Sequence, residues 1–286
     1  MSNANSGHRW TMLAGVLAYF AASTAPMAAK VPVDLELVIA TDVSYSIDEG
    51  EALLQRQGIA EAFRSKQVIR AIRSGFLRRI AVAYVDYSSR AFNRVVIDWR
   101  VIEGRASAEA FAADLLNSSL TTGRRTSISD AVELAAEMIE TNDLEGTRRV
   151  IDVSGDGPNN YGRLVDDVRD ATIARRITIN GLPIMNKNDE FSSRYYLADL
   201  DLYYRGCVIG GPGAFLVVAN NFVDYARAIR RKLILEIAGL TPPPDWRPRA
   251  MVIKATSHTR ARPSPSGYVY PKGCDIGEQM RNYGED

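Results

Sequence analysis

Short apolar runs of strand length alternate along this chain with longer stretches of helical periodicity, and that alternation constrains the fold more than any other feature. "VDLELVIATD" (33–42) reads as a strand, and 46–74 reads as helix, with Leu53, Leu54, Ile59, Phe63, Val68, Ile69 and Ile72 on a rough apolar stripe. "RIAVAYVDYS" (79–88) and "FNRVVIDW" (92–99) read as two strands joined by a short turn. Helices are expected over 107–117 and 127–140, a strand over 147–157, a helix over 164–176 and a strand over 177–184. "AFLVVAN" (214–220) and 222–239 close the pattern as strand and helix. Strands separated by helices require right-handed crossovers, hence an α/β fold with a doubly wound, mostly parallel sheet and helices on both faces. The hairpin at 79–99 adds one antiparallel edge strand.

Length and composition set the remaining bounds. A chain of 286 residues, 46% of them hydrophobic, suffices for one sizeable core and is short for two. The formal charge of +1 gives no global attraction to nucleic acid or anionic membrane. Histidine is scarce: His8 and His258 are the two in the chain, so a His-based triad, zinc site or proton shuttle has no residue in the expected core. Residues 1–29 carry a modest basic start (His8, Arg9), an apolar run from Trp10 to Ala22 and a small-residue exit at Ala28 and Ala29. That order reads as a secretory signal peptide, and the run falls short of the roughly 20 apolar residues of a membrane span. The expected location is therefore the periplasm or the extracellular space, an uncleaved N-terminal anchor being the alternative. Cys207 and Cys274 are the two cysteines, and an even pair in an exported chain suggests a disulfide. Residues 32–240 form the expected domain. Beyond it, 241–286 holds seven of the 12 prolines with little periodicity and reads as an extended or loosely packed tail.

The chemistry concentrates at the ends of the expected strands. In "ATDVSYSID" (40–48), Asp42, Ser44 and Ser46 alternate, so in extended chain they project to one side at the carboxyl end of the first strand. That end is where open α/β sheets bind ligands, and oxygens converging there suit a hard cation. Thr126 in "TTGRRTSISDA" (121–131) and Asp156 in "VIDVSGDGPNN" (150–160) stand on loops expected at the same rim. Each has a plain structural reading as well. Ser46-Ile47-Asp48-Glu49 has the form of a capping box, Thr126 and Ser127 can cap a helix, and Asp156-Gly157 can make a turn.

Taken together and in order, Asp-x-Ser-x-Ser, a later Thr and an Asp-Gly after an apolar strand resemble the metal-ion-dependent adhesion site of von Willebrand factor type A domains. The resemblance covers 33–239, and "VIDVSGDGPNN" with "YYRGCVIGGPGAF" is similar to a bacterial branch, domain of unknown function 1194. It implies that Ser44, Ser46 and Thr126 ligate a divalent cation directly, while Asp42 and Asp156 act directly or through water. Mg²⁺ is the first choice, with Mn²⁺ and Ca²⁺ as alternatives. It also implies a protein partner that presents Asp or Glu to the ion. Arg124 and Arg125 replace the small residues usual before the Thr and would form a basic partner-binding rim. The expected function is an exported, metal-dependent binding module and not an enzyme. A hydrolase using the same ion, or a structural domain with an empty site, are the alternatives.

Three other features have readings of their own. Asp152 lies inside an expected buried strand and requires a partner, a backbone group or an arginine being expected. "GGPG" (210–213) precedes a strand and lacks the Lys-Ser/Thr of a phosphate loop, so it reads as a turn. The stretch with Arg194, Tyr195, Tyr196, Tyr203, Tyr204 and Arg205 reads as a helix packed over the sheet, or else as a binding surface.

Overall fold

A computed structural model describes Met1 and residues 29–185, 196–242 and 267–285. Residues 2–28 of the expected signal segment, together with Arg194, Tyr195 and His258, therefore lie outside the described residues. The sheet comprises β1 (Val31–Asp42), β2 (Ile80–Tyr87), β3 (Arg94–Ile102), β4 (Leu144–Gly155) and β5 (Thr178–Pro183), in the order β3-β2-β1-β4-β5. All neighbours pair in parallel except β2 and β3, which form the antiparallel edge.

The central strand shows why its sequence is apolar without alternation. Leu35, Leu37 and Ile39 of β1 enter one core, and Val38 and Ala40 enter the other. A strand covered on both faces excludes water from both, so both sets of side chains must be apolar. The first core is closed by α1 (Glu49–Arg64), α2 (Lys66–Ser74), α3 (Arg105–Asn117) and α7 (Phe222–Ala238). The second is closed by α4 (Ile128–Thr141), α5 (Val165–Ala174), the short α6 (Leu200–Tyr203) and the π-helical turn Tyr204–Val208 that continues it. Tyr203 and Tyr204 are buried there, so this part of the aromatic stretch is core packing.

Three elements differ from the sequence reading, each for a local reason. The helix expected over 46–74 is two helices. Ser65 ends α1, its Oγ donating to the Ala62 carbonyl at 2.6 Å, and the same Oγ accepts from Val68 N at 3.2 Å to cap α2. The strand expected over 214–220 runs parallel to β5 only through isolated bridges, at Gly181–Leu216 and Ile184–Ala219. Phe215 N donates to Asn180 Oδ1 at 2.9 Å, a side-chain acceptor in place of a backbone one. The end of the expected tail is packed. Tyr270 is 1% exposed, Cys274 is joined to Cys207 by a disulfide with a Cα–Cα distance of 5.4 Å, and Ile276–Glu285 forms α8. Proline-rich flanks hid this helix, and its anchor is covalent. A crosslink spanning 67 residues constrains the unfolded chain by roughly 4 kcal/mol in the chain-entropy model.

Candidate metal centre

β1 and β4 flank the point where the strand order reverses, and the crevice beyond their carboxyl ends is the ligand position of an open α/β sheet. Asp42 terminates β1, and Asp156 follows the last residue of β4. Three loops meet over this crevice. Ser44 bridges to Gly123, and Gly123 N donates to the Val43 carbonyl at 3.0 Å, which stitches the first loop to the loop of Thr126. Asn160 N donates to the Thr126 carbonyl at 2.9 Å, and Thr126 N donates back to Asn160 Oδ1 at 3.0 Å. The loop carrying Asp156 is thereby locked to the same frame.

The five expected residues are brought together. Ser44 N donates to Asp42 Oδ1 at 2.7 Å, and Ser46 Oγ donates to Asp156 Oδ1 at 2.8 Å. Thr126 Oγ1 donates to Ser44 Oγ at 3.0 Å, and the hydroxyls of Ser44 and Ser46 are 3.2 Å apart. The capping readings of Ser46 and Thr126 fail, while that of Ser127 holds. Asp48, not Ser46, caps α1, in a capping box with Glu51. Ser127, not Thr126, caps α4, its side chain accepting from Asp130 N at 3.2 Å. Both hydroxyls are thus left to the cluster. Arg124 is exposed in the loop just before Thr126. Arg125 is half-buried, its carbonyl accepting from Ser88 Oγ at 2.6 Å.

Electrostatics at Asp42 are unusual for an aspartate. The side chain is fully buried, and Oδ2 has no hydrogen-bond donor. Burial pushes its carboxyl well above the usual range and the charge of Asp156 pushes it further, against the N–H and hydroxyl of Ser44. Gly155 is required beside it, because a Cβ there would lie 2.7 Å from Tyr87 Oη and 3.0 Å from Asp42 Oδ2. Among the described residues no group of three or more His, Cys, Asp or Glu side chains is gathered for a metal. The cluster instead supplies two carboxylates and three hydroxyls, an all-oxygen set, with one buried carboxylate oxygen lacking a donor. Such a set fits a hard divalent cation.

Sequence reasoning missed two groups. Asn159 and Asn160 hold the loops, and the only signal for them was their place directly after Gly-Asp-Gly-Pro. Asp152 finds neither a backbone group nor an arginine but Lys232, at 2.5 Å, and Lys232 also meets Glu236 at 2.6 Å. Lysine on α7 serves because its long stem crosses the apolar layer to reach β4, a contact between elements distant in sequence.

Sheet order, the single antiparallel edge and helices on both faces define the class: a von Willebrand factor type A fold. Within it, the chain belongs to the family described as Protein of unknown function (DUF1194), which matches residues 32–241. Similar solved structures include proximal thread matrix protein 1 of the mussel byssus, in a form with a zinc-occupied MIDAS motif. It has 11% identity over 73% of this chain and 47% of that one, with a TM-score of 0.51. The pilus adhesin SpaC of Lactobacillus rhamnosus GG has 11% identity over 73% of this chain and 31% of that one, with a TM-score of 0.53. The chain thus spans less than half the length of either. No curated protein matches the sequence significantly. No helix among the described residues is long and apolar enough to cross a membrane.

Proposed function

We propose that this chain is an exported, adhesion-type protein-binding module. In this reading Asp42, Ser44, Ser46, Thr126 and Asp156 hold a divalent cation, Mg²⁺ being the best fit to an oxygen-only set. The bound cation would supply an electrophilic centre for an acidic group of a protein partner. Asp42 and Asp156 bring the negative charge that retains the cation, and the three hydroxyls complete the set without cancelling more of its charge. Arg124, exposed at the rim, favours an anionic approach.

The observation that carries the reading is the buried Asp42 Oδ2, which has no donor, within a cluster of hydroxyls that cap nothing. Such a group is costly to bury unless something positive meets it. The zinc-occupied motif of the byssus protein and the pilus protein's being an adhesin support the same reading by fold. The Cys207–Cys274 disulfide accords with an oxidising compartment, hence with export. A pull-down from envelope extract, with and without chelator, tests it. A specific protein partner that is lost on chelation is the expected result. A partner retained unchanged in chelator would place the binding surface elsewhere.

A further inference from the structure

The family match ends at residue 241, yet a later segment reaches the proposed metal loop. α8 lies against the residues that follow Asp156. Arg281 Nη1 donates to the Asn160 carbonyl at 2.8 Å, and Glu278 Oε1 accepts from Asn159 Nδ2 at 2.7 Å. The approach is so close that a Cβ at Gly277 would collide with the Asn159 carbonyl. The helix is held there by the segment that leads into it. The Cys207–Cys274 disulfide ties it to the π-helical turn, Tyr270 is buried edge-on against Tyr203 at 5.6 Å, and Lys272 meets Asp199 at 2.7 Å. Tyr203 Oη joins the two sides, accepting from Asn159 N at 3.1 Å and donating to the Cys274 carbonyl at 3.4 Å.

Both asparagines pass this anchorage on. Asn159 Oδ1 accepts from Ser129 N at 2.9 Å, fixing the first turn of α4, and Asn160 brackets Thr126 through both its backbone N–H and its side-chain oxygen. Thr126 in turn donates its hydroxyl to Ser44. A continuous chain of contacts therefore runs from the disulfide, through α8 and the two asparagines, to a hydroxyl of the cluster.

We propose that Glu278 and Arg281 are positioning residues for the metal centre: α8, clamped by the disulfide, holds Asn159 and Asn160 so that the Thr126 and Asp156 loops keep the geometry that receives a cation. This rests on the metal reading above and adds to it a covalently anchored element from beyond the family's matched region. Direct partners of metal-holding groups typically alter affinity 10- to 100-fold when removed, and Glu278 and Arg281 act one contact further out, through Asn159 and Asn160.

The test compares the full-length wild type, a Glu278→Ala/Arg281→Ala double variant and a Glu278→Gln/Arg281→Lys variant that keeps the acceptor and the donor. Amide hydrogen exchange of metal-free protein is followed over 156–163 and 122–127, and Mn²⁺ affinity is measured by calorimetry. In the double alanine variant both loops are expected to exchange faster and Mn²⁺ to bind several-fold more weakly, up to about 10-fold. The conservative variant is expected to restore both, which a variant that merely misfolds would not do. Where wild type binds Mn²⁺, either loop exchange or affinity remaining at the wild-type value in the alanine variant overturns the proposal. Wild-type protein that takes up no Mn²⁺ refutes the metal reading instead, and unchanged exchange would then overturn the clamp on its own.

Discussion

Asp42 and Asp152 lie on neighbouring parallel strands, both are buried, and burial raises the pKa of both, yet their surroundings differ in kind. Asp152 faces α7, where Lys232 lies at 2.5 Å, and a second acid, Glu236, is held by the same lysine and by Asn180 Nδ2 at 2.8 Å. Asp42 faces the crevice, where one oxygen takes the Ser44 N–H and the other has no donor. In one place the chain supplies its own cation, a structural solution. In the other it supplies neutral hydroxyls around an acid, the arrangement that the proposed cation would complete. A buried carboxylate on its own is therefore no sign of function; what decides is whether the chain answers its charge.

The largest effect is expected at Lys232. Lys232→Met leaves Asp152 and Glu236 together without their cation and should destabilise the fold by about 3–5 kcal/mol, read from urea denaturation. A loss under about 1 kcal/mol would mean that the trio is not held by this lysine.

The two sites also differed in how far the sequence disclosed them. Asp42, Ser44 and Ser46 stand two residues apart on one extended segment, so their convergence follows from strand geometry alone. Thr126 and Asp156 were singled out by the order of the motifs, and the capping reading of Thr126 competed until Ser127 proved to be the cap of α4. Lys232 lies 80 positions from Asp152 on the opposite side of an apolar layer, and nothing local marks such a pair. α8 was hidden for a similar reason, since its docking depends on a disulfide to a distant turn and on asparagine contacts rather than on its own apolar stripe. The mostly parallel sheet, its antiparallel edge and the helices on both faces were legible because they follow from apolar period and connection rules. The break at Ser65 and the bridged segment at 214–220 were not, because single side chains decide them.

Acid–base behaviour should sharpen the contrast at the next level. Burial, with the charge of Glu236 adding to it and Lys232 opposing it, pushes the Asp152 carboxyl from 3.8 up to about 8. The folded state therefore holds a proton that the unfolded chain releases near the ordinary value. Stability from this group is full below about pH 4 and is lost as pH rises through about 8, by at most about 1.4 kcal/mol per pH unit. Urea midpoints from pH 5 to 9 should decline accordingly, and Asp152→Asn should flatten the decline while Lys232 keeps Glu236 as its partner. An equal decline in the variant would assign the effect to another group.

The smallest effect is expected at the rim. Arg124 is exposed, so Arg124→Ala should slow association with an acidic partner a fewfold at low salt, lessen its salt dependence and leave dissociation nearly unchanged. Rates at two ionic strengths check this, and a change confined to dissociation would place Arg124 in the contact itself.

In the proposed reading Asp42 is an acid prepared for a cation and not a structural group. Asp42→Asn keeps the oxygen that accepts from Ser44 N and replaces Oδ2, which lacks a donor among the described residues, with an amide that cannot carry negative charge. Calorimetric titration of Mg²⁺ and Mn²⁺ into wild type and this variant, with urea midpoints of both in chelator, is the direct measurement. The account predicts that the wild type binds, that the variant does not, and that the metal-free variant is as stable as wild type or more so. Equal ion binding by the two proteins, or a variant less stable by the several kcal/mol expected of a lost structural ion pair, would contradict it.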